Sequence, residues 1–188
     1  MSKRTNTSSL SSITYKSDTT FSFTSLTPAA LPHTTFDVQF HFSPCATFDS
    51  LPHFHTHYTE YLYVSLGSIQ LTLDGISSTI TPSSGEIPIP AWTPHRWEVL
   101  GGTETIVLER TVPRDGCKEA FFRNFVCLIN DYGSIPKVPM LQAFRVFAEW
   151  DNYPAPEGNW ARQNARGDGG ANEYAGEDWW LGGLQGPV

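Results

Sequence analysis

Short runs of alternating apolar and polar residues, separated by glycine and proline turns, fill the middle of this sequence. Over residues 35–42 the alternation places Val38, Phe40 and Phe42 on one face of a strand. Further strands are predicted at 61–66, 68–73, 77–81, 86–89, 95–99 and 104–110. Many short strands joined by tight turns indicate an all-β sandwich or barrel. A double-sheet jelly roll is the version of this architecture that closes around a site.

Histidines at alternate positions of one apparent strand form the strongest chemical signal. His53, His55 and His57 are each two residues apart, so their imidazoles are predicted to share a face and point at one spot. Glu60 follows just beyond the bend, and His95 lies on a later strand. Such a nitrogen and oxygen donor set suits a divalent Fe, Mn, Ni, Cu or Zn ion. The alternative interpretation is a surface strand that carries solvated histidines.

The spacing of these residues resembles two motifs of the cupin superfamily. The first is His53-x-His55, four residues, Glu60, six residues and Gly67. The second spans residues 85–95 and is similar to the family's series of Gly, Pro, Gly and His, ending at His95. Trp92 stands where the family has a glycine. The resemblance implies a small β-barrel, a single cupin jelly roll, in which a metal ion is bound by His53, His55, Glu60 and His95.

Roles for the neighbouring residues follow from this placement. His57 is expected beside the ligands as a hydrogen-bond partner, with a proton relay or replacement of His53 as alternatives. Glu60 is expected to act either as a ligand or as a general base; together with His57 it forms the predicted catalytic pair. Apolar residues on the predicted barrel strands are expected to bind the substrate, namely Phe40, Phe42, Leu62, Val64, Trp92 and Trp97.

The chain is expected to contain one barrel followed by helices. Apolar residues recur at helical spacing from Ala120 until Tyr132-Gly133 ends the pattern, and a second helix is predicted over 139–150. These helices are expected on the outside of the barrel, with a lid over its mouth or a dimer interface as alternatives. The predicted divisions are a disordered N-terminus at 1–12, the barrel at 13–112, a helical extension at 113–153 and an irregular tail at 154–188.

Composition limits the partners and the compartment. The net charge of −7 and the absence of a Lys/Arg cluster argue against nucleic acid or an anionic membrane surface as a partner. We find no apolar stretch long enough to cross a bilayer and no secretory signal, so a cytoplasmic location is expected. The three cysteines form no metal-binding spacing and suit free thiols. A homodimer is expected, because small barrels of this type have exposed edge strands.

The barrel alone does not determine the reaction, since one fold hosts many chemistries. Residues 119–124 loosely resemble a group of small fungal cupins of secondary metabolism, and the ligand set resembles that of quercetin dioxygenases. The first hypothesis is therefore a metal-dependent oxygenase that acts on a small apolar or aromatic natural product. The second is a non-oxidative cyclase or isomerase that uses the histidines with or without metal. The third is a protein that binds small molecules without catalysis.

Overall fold

Two antiparallel six-stranded sheets form the body of the protein. A computed structural model describes residues 4–24 and 36–155. With strands numbered along the chain, the first sheet has the order β1 (Ser12–Tyr15), β2 (Thr19–Phe23), β3 (Val38–Phe42), β11 (Thr105–Val112), β6 (Thr59–Leu66) and β9 (Ile87–Ile89). The second has the order β12 (Tyr153–Pro154), β5 (His53–Phe54), β10 (His95–Val99), β7 (Ile69–Leu73) and β8 (Ile76–Ile80), with β4 (Phe48–Asp49) paired to β10. The prediction of an all-β jelly roll is confirmed.

The alternation of residues along each strand fixes which side chains face the core. On β3, Val38, Phe40 and Phe42 are buried, whereas Gln39 and His41 between them are partly exposed. A glycine is required where β6 turns toward β7. Gly67 has a φ of +76°, and a Cβ at this position would lie 2.4 Å from Thr105 Oγ1. The glycine of the first motif therefore permits both the turn and the close approach of β11.

Aromatic side chains fill the space between the sheets. The ring centroid of Trp97 lies 5.3 Å from that of Phe40 and 5.9 Å from that of Phe42, and edge-to-face contacts of this kind are favourable. Five of the six predicted substrate-binding residues are at most 1% exposed, namely Phe40, Phe42, Leu62, Val64 and Trp97. A side chain without accessible surface does not border an open cavity. These five residues are therefore core residues in this structure, and the prediction that they form a substrate wall is corrected.

Replacement of Trp97 by alanine is expected to lower the free energy of unfolding by about 3 to 5 kcal/mol, because it removes a large buried ring and leaves a cavity. Urea denaturation of the full chain measures this change. The matched control is Trp92→Ala, since Trp92 is 61% exposed and its removal should cost about 1 kcal/mol or less. Similar losses for the two variants would contradict the assignment of Trp97 to the core.

Helix α1 (Cys117–Tyr132) lies against the barrel, and helix α2 (Met140–Glu149) packs on α1. The ring of Phe122 on α1 is 4.9 Å from that of Phe40, so this helix contributes to the barrel core. The contact between α1 and α2 is made by Phe125 and Phe147, whose rings are 5.1 Å apart. As predicted, α1 ends at Gly133, where φ is +84° and the N–H donates to the carbonyl of Ile129 at 2.7 Å.

Residues 4–12 are held against α1, which corrects the prediction that this segment is disordered. Thr5 donates from its backbone N–H and its hydroxyl to the carboxylate of Asp131, at 3.0 and 2.6 Å. Arg123 donates to the carbonyl of Leu10 at 3.0 Å, and the Leu10 side chain packs on the barrel core. Polar groups on α1 thus pair with the short Ser/Thr-rich chain, which composition alone does not reveal.

Only the beginning of the predicted tail falls within the described residues. Ala155 donates to the carbonyl of Pro52 at 2.8 Å, next to the short pairing of β12 with β5. The remainder, 156–188, lies outside the described residues, as do residues 1–3 of the predicted N-terminal segment. Within the described ranges, no helix has the length and apolar character needed to cross a membrane. Cys45, Cys117 and Cys127 are free thiols, as expected.

Candidate metal centre

Three strands bring the four predicted ligand residues together. His53 lies on β5 and pairs in register with His95 on β10, while Glu60 lies near the start of β6. His55 follows directly after β5. One donor atom from each of the four residues lies within 4.8 Å of the others, and all four residues are buried. The predicted convergence of His53, His55, Glu60 and His95 is therefore present in the structure.

Backbone carbonyls fix the orientation of the three imidazoles. The Nδ1 atom of each ring is within hydrogen-bond distance of a carbonyl oxygen, at 2.8 Å for His53, 2.5 Å for His55 and 3.0 Å for His95. The acceptors belong to Leu51, Asp151 and Thr93 respectively. A carbonyl only accepts, so Nδ1 must carry the proton in each ring. The unprotonated Nε2 atom is then available to a metal ion, which is the arrangement typical of histidine ligands.

Acceptor atoms face one another at the centre of this cluster. Glu60 Oε1 and His95 Nε2 are buried, have no hydrogen-bond partner among the described residues, and lie 3.7 Å apart. Glu60 Oε2 is 2.9 Å from Nε2 of His55, whose proton is already committed to Nδ1. Buried acceptors without donors are rare, because each loses its hydration without replacement. A cation between these atoms would satisfy them, so the residues present fit a bound metal ion.

Two charged residues that the sequence reasoning missed lie beside the cluster. Lys118, in the first turn of α1, contacts Glu60 through its ammonium and lies 3.1 Å from Glu109 Oε2. Glu109, on β11, also accepts a hydrogen bond of 2.7 Å from the indole N–H of Trp97. All three charged residues are at most 6% exposed. The ammonium thus compensates two carboxylates inside the protein, as buried charges require.

The environment favours neutral histidines and an ionised glutamate. Burial, reinforced by His95, places the pKa of His53 well below its ordinary value, and burial also lowers the pKa of His55. Burial opposes ionisation of Glu60, but the positive charge of Lys118 outweighs it and holds the pKa of this carboxyl well below its usual range. Burial and the negative charge of Glu60 raise the pKa of Glu109. At neutral pH, His53, His55 and Glu60 are therefore in the protonation states that coordinate metals.

His57 does not point at the cluster, which corrects the prediction for this residue. Its side chain is 79% exposed, and its Nδ1 atom lies 2.6 Å from the hydroxyl of Thr56. Strand β5 ends at Phe54, and the Asp151 carboxylate accepts hydrogen bonds from the backbone N–H groups of Thr56 and His57, each at 2.9 Å. The chain therefore turns here, and the rule that alternate residues share a face no longer applies.

Trp92, at the position where the second motif has a glycine, has a backbone conformation that glycine adopts more readily than other residues. Its φ is +66°, a left-handed value that is unusual for a bulky residue. Its N–H donates to the carbonyl of His55 at 2.6 Å, and its ring stacks on that of Phe54 at 5.6 Å. Phe54 faces away from His53 along β5, so Trp92 covers the outside of the sheet. Its predicted role in substrate binding has no support in this geometry.

Comparison with known proteins gives short or distant matches. No family model matches the sequence. A stretch of 46 residues is 44% identical to the probable oxidoreductase patJ of Aspergillus clavatus, and it covers 24% of this chain but only 14% of that relative. KdgF of a Halomonas species is 18% identical, with a TM-score of 0.35 over 55% of this chain and 76% of the other. A predicted oxalate decarboxylase of Thermotoga maritima is 16% identical, with a TM-score of 0.37 over 48% and 76%.

Matches of this extent do not establish the activity. The assignment of the fold follows instead from features of the chain: two antiparallel sheets, two motifs on neighbouring strands, and four polar side chains that meet between them. Together these features give the chain a jelly-roll fold and the arrangement of side chains that the resemblance to the cupin superfamily predicts.

Proposed function

We propose that the protein is a cupin metalloenzyme of natural-product metabolism that performs oxygenase-type chemistry on a small apolar or aromatic substrate. The observation that supports this proposal most directly is the buried set of acceptors, in which three imidazoles present Nε2 toward the carboxylate of Glu60. The oxidoreductase name of the Aspergillus clavatus relative is in keeping with it. That relative is about seven times longer than the stretch it shares with this chain. An oxidoreductase activity of this chain is therefore a proposal.

The residues of the chain have separate tasks in such an enzyme. A divalent ion held by His53, His55, Glu60 and His95 would supply Lewis-acid or redox chemistry. Burial of all four residues excludes bulk water from the centre. Lys118 neutralises negative charge on Glu60 and carries N–H groups that can stabilise a negative substrate oxygen nearby.

Metal analysis of the purified full chain tests the proposal. We expect about one ion per chain by plasma mass spectrometry, after purification without chelator or after addition of Fe, Mn, Ni, Cu or Zn. Because the ion binds the folded state, an excess of about 100 times Kd should stabilise the fold by about 2.7 kcal/mol and raise Tm. Absence of both bound metal and a Tm shift with all five ions would refute the metalloenzyme.

A second candidate is a cyclase or isomerase that works without metal. The ion pair between Lys118 and Glu60 favours it, because a positive charge already compensates this carboxylate. In that case the ammonium and the imidazoles would polarise a substrate oxygen and move a proton. Full turnover of a candidate substrate by chelator-treated protein would select this function over the oxygenase.

A further inference from the structure

Strand β8 (Ile76–Ile80) forms an uncovered end of the second sheet. It pairs with β7 on one side, and no strand pairs with its other side within the described residues. The first four residues of the strand are exposed, and Ile76 is 64% exposed. An edge strand presents a row of unpaired N–H and C=O groups, to which a further strand can bind. The described part of the chain therefore leaves this edge open to strand addition.

The other sheet ends of the described structure are protected against such pairing. At one end of the first sheet, β9 has only three residues and includes Pro88, which has no N–H to donate. At the opposite end of that sheet, the carbonyl of Thr14 on β1 accepts a hydrogen bond of 2.9 Å from Asn130 on α1. In the second sheet, the end strand β12 has two residues, one of them Pro154. Strand β8 has five residues without proline, charge or bulge, so it lacks the usual protection of an edge.

The turn before β8 determines which of its backbone groups face outward. Residues 74–75 form a two-residue turn between β7 and β8, with φ values of +46° and +79°. The flanking residues of such a turn, here Leu73 and Ile76, form a hydrogen-bonded pair. Hydrogen-bonded pairs alternate along an antiparallel ladder, so the N–H and C=O groups of Ser77 and Thr79 point away from β7. These two residues thus offer two donors and two acceptors to a neighbouring strand.

The stretch of available backbone groups is short and centred on Ser78. At Thr81, the next position with outward groups, the N–H donates to Oγ of Ser84 at 3.1 Å and the carbonyl accepts from the Ser84 N–H at 3.0 Å. The turn limits the stretch at its other end. A two-fold axis at Ser78 would pair Ser77 of one chain with Thr79 of a second copy, and the reverse. All four outward groups of each chain would then form hydrogen bonds.

The sequence of β8 suits pairing with a second copy of itself. It reads Ile-Ser-Ser-Thr-Ile, which is nearly the same in both directions. In the antiparallel pair, the exposed Ile76 lies beside Ile80 of the second copy, and hydroxyl residues lie opposite one another at the three central positions. Ile80 belongs to the hydrophobic core, so the contact would extend the core of each chain. Residues 75–85 include no charged side chain, although the chain has a net charge of −7, so like charges do not meet at this edge.

We propose that β8 is the dimerisation edge of the protein, at which two copies pair antiparallel about a two-fold axis at Ser78 and join their second sheets into one continuous sheet. The interface consists of two hydrogen-bonded residue pairs with an isoleucine contact at each end. An interface this small gives a reversible dimer. Strand β7 separates β8 from β10, which carries His95, so the inference is independent of the metal centre and of the proposed function.

Sedimentation velocity of the full chain over about 1 to 300 μM tests the proposal, since small interfaces associate in this range. We expect the mass to rise with concentration toward twice that of one chain. Ser78→Lys places two positive charges opposite each other on the axis and should weaken association by at least about tenfold. Ser12→Lys is the matched control, because it makes the same change at an exposed residue of the covered edge strand β1. It should leave association unchanged.

A mixture of the Ser78→Lys and Ser78→Glu proteins tests the register of the pairing. Each variant alone should associate weakly, whereas the mixture should recover association, because opposite charges then meet on the axis. In the unchanged protein, hydrogen exchange at the amides of Ser77 and Thr79 should slow as concentration rises. A monomer at every concentration, a dimer that Ser78→Lys does not weaken, or no recovery in the mixture would overturn the proposal. Slow exchange that is independent of concentration would also overturn it, and would show that another segment of the same chain covers this edge.

Discussion

Replacement of His55 by alanine is expected to abolish stoichiometric metal binding, whereas His57→Ala should retain the metal content of the unchanged protein. The two residues are two positions apart, but only His55 has its Nε2 atom among the four clustered donors. The His57 side chain is 79% exposed. Loss of one donor from a four-residue site removes a bond to the ion, while an exposed neighbour contributes little. Plasma mass spectrometry of both variants, after identical loading and desalting, gives the comparison.

Folding must be followed alongside metal content. The Nδ1 atom of His55 also binds the carbonyl of Asp151, so His55→Ala removes a structural contact as well as a donor. His95→Gln is the second variant, because it removes the imidazole of a different ligand from the other motif. Circular dichroism should show native secondary structure in each. Stoichiometric metal in both His55→Ala and His95→Gln would contradict the four-residue centre, as would loss of metal in His57→Ala.

Replacement of Lys118 by methionine is expected to lower the free energy of unfolding of the metal-free protein by about 3 to 5 kcal/mol. Removal of the ammonium leaves the carboxylates of Glu60 and Glu109 buried without their cation, and breaking a buried ion pair from one side has a cost of this size. Urea denaturation measures the loss. Lys137→Met is the matched control, since this lysine is exposed and its replacement should change stability by less than about 0.5 kcal/mol.

A second substitution and a bound metal ion should each recover stability in the Lys118→Met protein if the ammonium compensates the two carboxylates. A second change, Glu109→Gln, removes one of the uncompensated carboxylates and should recover part of the loss. A bound divalent ion should recover more than it adds to the unchanged protein, because it replaces a missing positive charge next to Glu60. Equal stability of Lys118→Met and the unchanged protein would show that the ammonium does not compensate these carboxylates.

The convergence of the four side chains can be predicted because the sequence pattern that indicates it is local. Alternate positions along a strand share a face, and this rule with the motif spacing identifies His53, Glu60 and His95. The same rule fails for His57, because it assumes a strand that continues beyond Phe54, and the turn there depends on Asp151, about a hundred residues away. A contact over that separation leaves no trace in the local pattern.

The charged partners of the centre leave weaker signals that were present in the sequence. Glu109 has the same strand parity as the buried Val107, which predicts that it points inward. Lys118 is three and four positions before Phe121 and Phe122, so it lies on the apolar face of α1. A charge on a buried face requires a partner of opposite sign. The sequence does not say which one, because the packing of α1 on the barrel decides it.

Asp151 sets the size of the smallest piece of this chain that can hold an ordered centre. Its carbonyl accepts from His55, and its carboxylate accepts from the two residues that follow His55. Both motifs end before Pro113, yet a fragment cut there would keep all four donors and lose this brace together with the lysine on α1. A design that transplants only the motif-bearing strands into another scaffold would therefore transfer the four donor residues without Asp151 and Lys118, which orient His55 and Glu60. The unit to transfer extends at least through Asp151.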